Sequence, residues 1–242
     1  MEEAARLLDY LPLSYKNRGE QDYVAFLWDA FQTNYEHEKY QFAFLAYHML
    51  TMSFVYFNIW QVKQARPGDF EKGLIGLAVH ENALLKATSP FVFSIVPEST
   101  MLRFLKLVAC DSSRIGAFAK LVRDRNDTAH ANGNVFYSTQ AALDSKIGEV
   151  LRFVAEIQEH SAPVVLQIYG NFLFDNWDRE AREYPDDKDQ IREVLLHNDY
   201  FSLEDLRLCR GLDVDSLPDS NSRTEQESLH RACMAMLDDI DL

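Results

Sequence analysis

Residues Arg123-Asp124-Arg125-Asn126-Asp127-Thr128-Ala129-His130 bring a guanidinium, an amide and an imidazole into one short stretch. Asn126 follows Arg125 at once, and His130 comes four residues later. On an α-helix each residue turns about 100°, so positions four apart lie one above the other. Asn126 and His130 therefore share a face, with Arg125 beside them. Arginine can hold a phosphate and spread its developing charge. Histidine moves a proton near neutral pH. The three suit phosphodiester chemistry, with Arg125, Asn126 and His130 as the candidate catalytic residues.

A helix must position them. The pattern starts one near Ser112, capped by Asp111 or Ser112, and stops it at Ala131-Asn132-Gly133-Asn134. Its apolar stripe is Ile115, Phe118, Leu121 and Val122. Continued by four, the stripe lands on Arg125 and then Ala129, so Arg125 faces the packed side. An arginine there needs a partner, and the plain alternative to a functional role is that it pairs with an acid of the same bundle. Arg114, Lys120 and Arg123 lie along the same helix and could form a local basic patch. For Arg114 and Lys120 the plain alternative is a solvated charge.

The rest of the chain reads as helical, with scarce strand signals. Glu2 to Tyr10 predicts a short helix, stopped near Pro12. A second begins around Gly19-Glu20 and runs, with a break, to Ala65, where Pro67-Gly68 ends it. Asp69 caps a third through about Ala87. Ser89 to Pro97 holds two prolines and reads as a linker or an extended strand. Another helix spans Ser99 to Ala109. A long one runs from about Ser138 to Asn176-Trp177, where Pro163 should bend or split it. After Trp177 come a charged stretch, short helices at Gln190–Leu196 and Ser202–Arg210, a mobile linker near 213–226 and a last amphipathic piece around Leu229 to Leu237. The fold class is all-α: an antiparallel helical bundle over 1–177 with a small acidic helical extension over 178–242.

Composition narrows the function. Hydrophobic residues make up 47% of 242, enough for a core. The formal charge of −14 argues against indiscriminate DNA coating, which rests on neutralised phosphates. A local RNA site stays open. Cys110, Cys209 and Cys233 fit no zinc spacing and suggest buried thiols in a reducing cytoplasm. The start Met1-Glu2-Glu3 is acidic and does not read as a signal peptide. Tyr40 to Val62 carries no charge and could span a bilayer by length. Its Gln41, His48, Thr51, Ser53, Asn58 and Gln61 favour the most buried helix of a bundle instead, with His48 a hydrogen-bonded core histidine. The histidines form no obvious metal set. Asp186-Asp187 and Asp238-Asp239 read as solvated, so no metal and no cofactor is expected.

Arg125 and His130, with four residues between them of which Asn126 is the first, resemble the RX4-6H motif of the HEPN family, in which an arginine followed by Asn, Asp or His precedes a histidine late in a helix. Arg123 with six intervening residues also fits the loose pattern, but the polar residue follows Arg125 directly. The resemblance implies a helical bundle up to about Trp177 that forms a homodimer with one composite site. It implies a metal-independent endoribonuclease that leaves a 2′,3′-cyclic phosphate, typically a regulated toxin or anti-phage effector with an antitoxin or regulatory partner. Arg125 would hold the phosphate, Asn126 would orient, His130 would transfer protons, and Arg123, Lys120 and Arg114 would bind RNA. A tyrosine two residues after the histidine, modified in some toxins, is replaced here by Asn132. The alternative is a non-catalytic HEPN-like dimerisation or protein-binding module. A weaker third reading is a membrane-associated protein built on Tyr40 to Val62.

Overall fold

The computed structural model describes residues 1–77, 79–130, 132–218 and 222–240. They are helical throughout, and no strand forms among them; a lone bridge pairs Pro12 with Ser202. The all-α bundle expected from periodicity is the observed architecture.

Helix α1 (Glu2–Ala5) tightens into a 3-10 turn over Arg6–Tyr10. Helix α2 (Arg18–Glu36) is capped by Asn17, whose side chain accepts the Glu20 N–H at 2.9 Å. Val24, Leu27, Phe31 and Tyr35 form its buried face. The break before α3 (Tyr40–Ala65) falls at Glu38, which takes a left-handed φ of 58°. Helix α3 is the hub and packs on α2 and on four helices introduced below. It is the one described helix long and apolar enough to cross a membrane, yet 83% of its most apolar window is buried by the rest of the chain. Thr51 and Ser53 satisfy their hydroxyls on Tyr47 and Met49 carbonyls, one turn back.

The single helix expected from Asp69 to Ala87 is instead two: α4 (Pro67–Gly73) and α5 (Glu81–Leu85). Pro67 starts α4, so Asp69 lies inside it rather than capping it. Gly76 adopts φ +93° in the turn between them, a conformation costly for any other residue. Ser89 to Pro97 is neither linker nor strand. Pro90–Ile95 forms a 3-10 helix capped by Ser89, since no neighbouring strand offers a ladder. Helix α6 (Glu98–Arg103) passes into a 3-10 turn (Phe104–Val108) and ends at Ala109, which is left-handed at φ 64°.

Helix α7 (Ser112–Ala129) is capped by Asp111, which accepts from Ser113 and Arg114 N–H groups at 2.8 and 2.9 Å. Those bonds hold its carboxyl below the usual range. Phe118, Leu121 and Val122 meet Thr51 and Val55 of α3 across a small void. The stripe departs from expectation in its last turn, where Thr128 is buried and Ala129 exposed. Thr128 Oγ donates to the Asp124 carbonyl at 2.6 Å, which lets a hydroxyl sit inside.

Helix α8 (Gln140–Asp175) is continuous through Pro163. Pro163 and Glu159, the residue whose carbonyl loses its helical partner, are both exposed, so water replaces the missing bond and no split is needed. Besides α2, α3 contacts α4, α6, α7 and α8.

After Trp177 the short helix comes earlier than expected, as α9 (Asp187–Gln190), and opens into a π-helix over Ile191–His197. Asp187 is not solvated as expected; it is paired with Arg179 and Arg182. Helix α10 (Leu203–Cys209) starts with a full capping box between Ser202 and Asp205. Of the linker near 213–226, residues 219–221 lie outside the described residues. Val214–Ser216 form a 3-10 turn that Arg223 grips through the carbonyls of Val214, Asp215 and Leu217. The amphipathic helix α11 (Arg223–Ile240) docks through Leu229, Cys233 and Leu237. These C-terminal elements share one hydrophobic core with α1 to α8. The three cysteines are buried free thiols, and burial pushes Cys110 up to about 11.

Candidate functional site

Arg125 lies one turn before the end of α7, on the side facing α6. Its Nη2 is 2.6 Å from Oε1 of Glu98, the first residue of α6. The other Glu98 oxygen, Oε2, accepts from His48 Nε2 of α3 at 2.9 Å. His48 is 2% exposed, Glu98 18% and Arg125 30%. Burial alone would raise the Glu98 carboxyl, but the bonds from His48 and Arg125 outweigh it and hold the group below its ordinary value. The arginine that the stripe placed on the packed side has thus found an acid of the same bundle, and His48 is the hydrogen-bonded core histidine expected of it.

Asn126 is half-buried, and its carbonyl accepts the His130 N–H at 3.0 Å. His130 is the residue at which the helix ends: its backbone is extended at φ −83°, ψ 145°, and its side chain is exposed. Arg125, Asn126 and His130 thus gather at one end of α7, although no hydrogen bond joins their side chains to one another.

The turn that follows is pinned to α3. Gln41 donates through Nε2 to the Thr128 carbonyl and accepts the Phe136 N–H, both at 3.0 Å. Asn132 donates to the Asp127 carbonyl at 2.7 Å and accepts the Asn134 N–H at 3.0 Å. Gly133 takes φ +79° between them, and Ala131 lies outside the described residues. Tyr137 packs on Phe44 at 4.6 Å between centroids. Val135 and Phe136 are left exposed on this same tied segment, and Phe42 is exposed beside Gln41 at the start of α3.

The cations along α7 meet acids of α8. Arg114 pairs with Glu156, Lys120 lies 3.6 Å from Glu149, and Lys146 of α8 bridges Asp124 of the motif to Glu149. Burial favours protonated Glu149, but Lys146 and Lys120 hold its carboxyl low. Arg123 is exposed and enters none of these pairs. Arg114, Lys120 and Arg123 therefore do not make a purely basic surface; two of the three are compensated. No group of three His, Cys, Asp or Glu side chains among the described residues could hold a metal ion.

The pairing of Arg125 with an acid is the structural alternative the sequence allowed for it, and the sequence reading named neither Glu98 nor Gln41. Glu98 had one local signal: an acid just after Pro97, at the start of a helix, where negative charge is favoured. Comparisons with protein-family models, curated proteins and solved structures found no match.

Proposed function

We propose that this chain is a metal-independent endoribonuclease of HEPN type, acting as a homodimer with a composite site. The reading rests on one observation above the others. Arg125 and His130, at RX4H spacing, occupy the solvent-facing end of α7, with Arg125 anchored from behind by Glu98. In the reaction the ribose 2′-hydroxyl attacks the adjacent phosphorus as its proton passes to an imidazole. The bond to the 5′-oxygen breaks, and that oxygen takes a proton from the second copy's imidazole. The products carry a 2′,3′-cyclic phosphate and a 5′-hydroxyl. DNA lacks the attacking group and resists. Arg125 stabilises the charge on the phosphoryl oxygens. Asn126 orients the phosphate or His130, while Arg123 guides the RNA strand, with Arg114 and Lys120 contributing less because acids of α8 already hold them. Phe42 and Val135 give the motif end an apolar rim suited to the partner copy. A cytoplasmic toxin or anti-phage effector, restrained by an antitoxin or regulatory protein, is the biological role that fits such an activity.

A second reading is a non-catalytic dimerisation or protein-binding module. The compensated cations of α7 and the net charge of −14 favour it. Incubating total RNA with the protein in EDTA separates the two. Cleavage leaving cyclic-phosphate ends is expected of the parent and lost in Arg125→Ala and His130→Ala, with helical content unchanged. Cutting at the parental rate by either variant removes that residue from the site.

A further inference from the structure

A groove of about 480 Å³ lies between the start of α2, the middle of α3, the 3-10 helix Pro90–Ile95 and the start of α6. That volume lies within the range of small-molecule sites. Its walls are aromatic. Tyr23 and Tyr56 both stand edge-on to Phe91, at 5.1 Å and 83° and at 6.5 Å and 88°. Met49 of α3 adds a polarisable thioether at the rim. Two carboxylates reach the groove, Glu20 and Glu98, and no Lys, Arg or His lines it.

The groove lining carries acids and no cation of its own. Glu20 is buried, accepts from Ser89 Oγ and Tyr200 Oη, and forms no ion pair among the described residues. Glu98 is held by Arg125 and His48 from the far side, one contact per oxygen, which leaves acceptor capacity on each. Its field extends into the groove: burial first, then Glu98, raises the Tyr23 phenol and pushes that of Tyr56 to about 12. Neither phenol hydrogen-bonds among the described residues. An anion would be repelled here, and a neutral guest would strip water from two carboxylates without replacing it. A cation gains twice, from the carboxylates and from the electron-rich ring faces.

We propose that this groove binds a small organic ammonium ion, its charged nitrogen at Glu98 and its apolar body among Tyr23, Tyr56 and Phe91. Such a ligand and Arg125 draw on the same carboxylate, so occupation of the groove and the hold on Arg125 are linked. The proposal does not depend on ribonuclease activity, and neither does its test.

Calorimetric titration of the full chain at pH 7 uses phenethylamine as the probe and 2-phenylethanol as its neutral isostere. The amine is expected to saturate one site, and the alcohol to bind at least about tenfold more weakly, the size of one desolvated charge contact. Glu98→Gln weakens the amine by about tenfold, and Tyr23→Ala, a half-exposed wall residue whose loss spares the core, weakens it severalfold. Arg125→Ala, by freeing Glu98, tightens it. The proposal is overturned if the amine fails to saturate by about 10 mM, an affinity too weak for a built site. It is equally overturned if the alcohol binds as well as the amine, or if Tyr23→Ala and Glu98→Gln leave the affinity unchanged.

Discussion

Breaking the Arg125–Glu98 pair tests whether α6 and α7 are joined by charge. At 2.6 Å and an effective dielectric of about 20, two unit charges attract by about 6 kcal/mol, before desolvation is subtracted. An exposed pair retains about 0.2–1 kcal/mol of such a gain, while removing one partner of a fully buried pair costs about 3–5 kcal/mol. With Arg125 30% and Glu98 18% exposed, this pair falls between the two limits, at about 1–3 kcal/mol. Glu98 also accepts from His48, so Glu98→Gln alone mixes two effects. A double-mutant cycle with Arg125→Ala removes the His48 contribution, which is common to both arms. Urea unfolding of the four proteins at pH 7 is expected to give a coupling of about 1–3 kcal/mol, and each single variant a midpoint about 2–12 °C lower on heating. The pH dependence has a definite sign. The folded Glu98 carboxyl lies below its ordinary 4.5, so the coupling is complete above that value and fades as pH falls through the lower folded value. A coupling under about 0.3 kcal/mol, or one that does not fade in acid, would refute the pairing.

Two further predictions concern the C-terminal elements. Burial pushes the Asp199 carboxyl up to about 6, so its contribution to stability is full below the unfolded value of 3.8 and lost as pH rises through about 6. Asp199→Asn should therefore raise stability by about 1–3 kcal/mol above pH 6 and leave it unchanged near pH 4; melting curves that stay parallel across that range contradict this. Asp205 accepts from Gln158 at 2.6 Å, Gln61 at 3.0 Å and the Ser202 N–H at 2.9 Å, all buried. Asp205→Ala strands those donors at about 1–3 kcal/mol apiece, so chemical denaturation should show a loss of about 3–5 kcal/mol, and a loss below about 1 kcal/mol would show that the network ties nothing together.

What was legible in the sequence followed from short-range rules. The α7 stripe, its Asp111 cap and the need of Arg125 for an acid all came from helical periodicity and from the cost of unpaired charge. The identity of that acid did not, because Glu98 precedes Arg125 by a helix, a 3-10 turn and a left-handed residue, and only the tertiary fold brings them together. The end at Ala109 was read correctly, whereas the break at Gly76 was missed although its signal was local, a glycine free to take φ +93° inside a stretch read as one helix. Gln41 lay within a segment read for burial alone, yet both ends of its amide fasten the motif turn. The compensation of Arg114 and Lys120 was also invisible, since the acids that meet them are supplied by α8.

That compensation decides what kind of RNA recognition the proposed nuclease could use. Affinity gained by neutralising phosphates needs several unpaired cations along a track. On one copy, Arg123 stands outside every ion pair among the described residues, and Arg125 shares its charge with Glu98. A dimer only doubles this small supply, within a chain of net charge −14. Long duplex tracking is therefore a poor fit. A short single-stranded segment is a better one, because unstacked bases gain from aromatic surfaces as well as from phosphate contacts. Phe136 is exposed on the segment that Gln41 ties to the motif end, where such bases would arrive. Arg125 could still serve there while held by Glu98, since a guanidinium carries five N–H donors and the contact to Glu98 runs through Nη2. The same carboxylate that lowers the net charge of the site thus fixes the direction in which its remaining donors point.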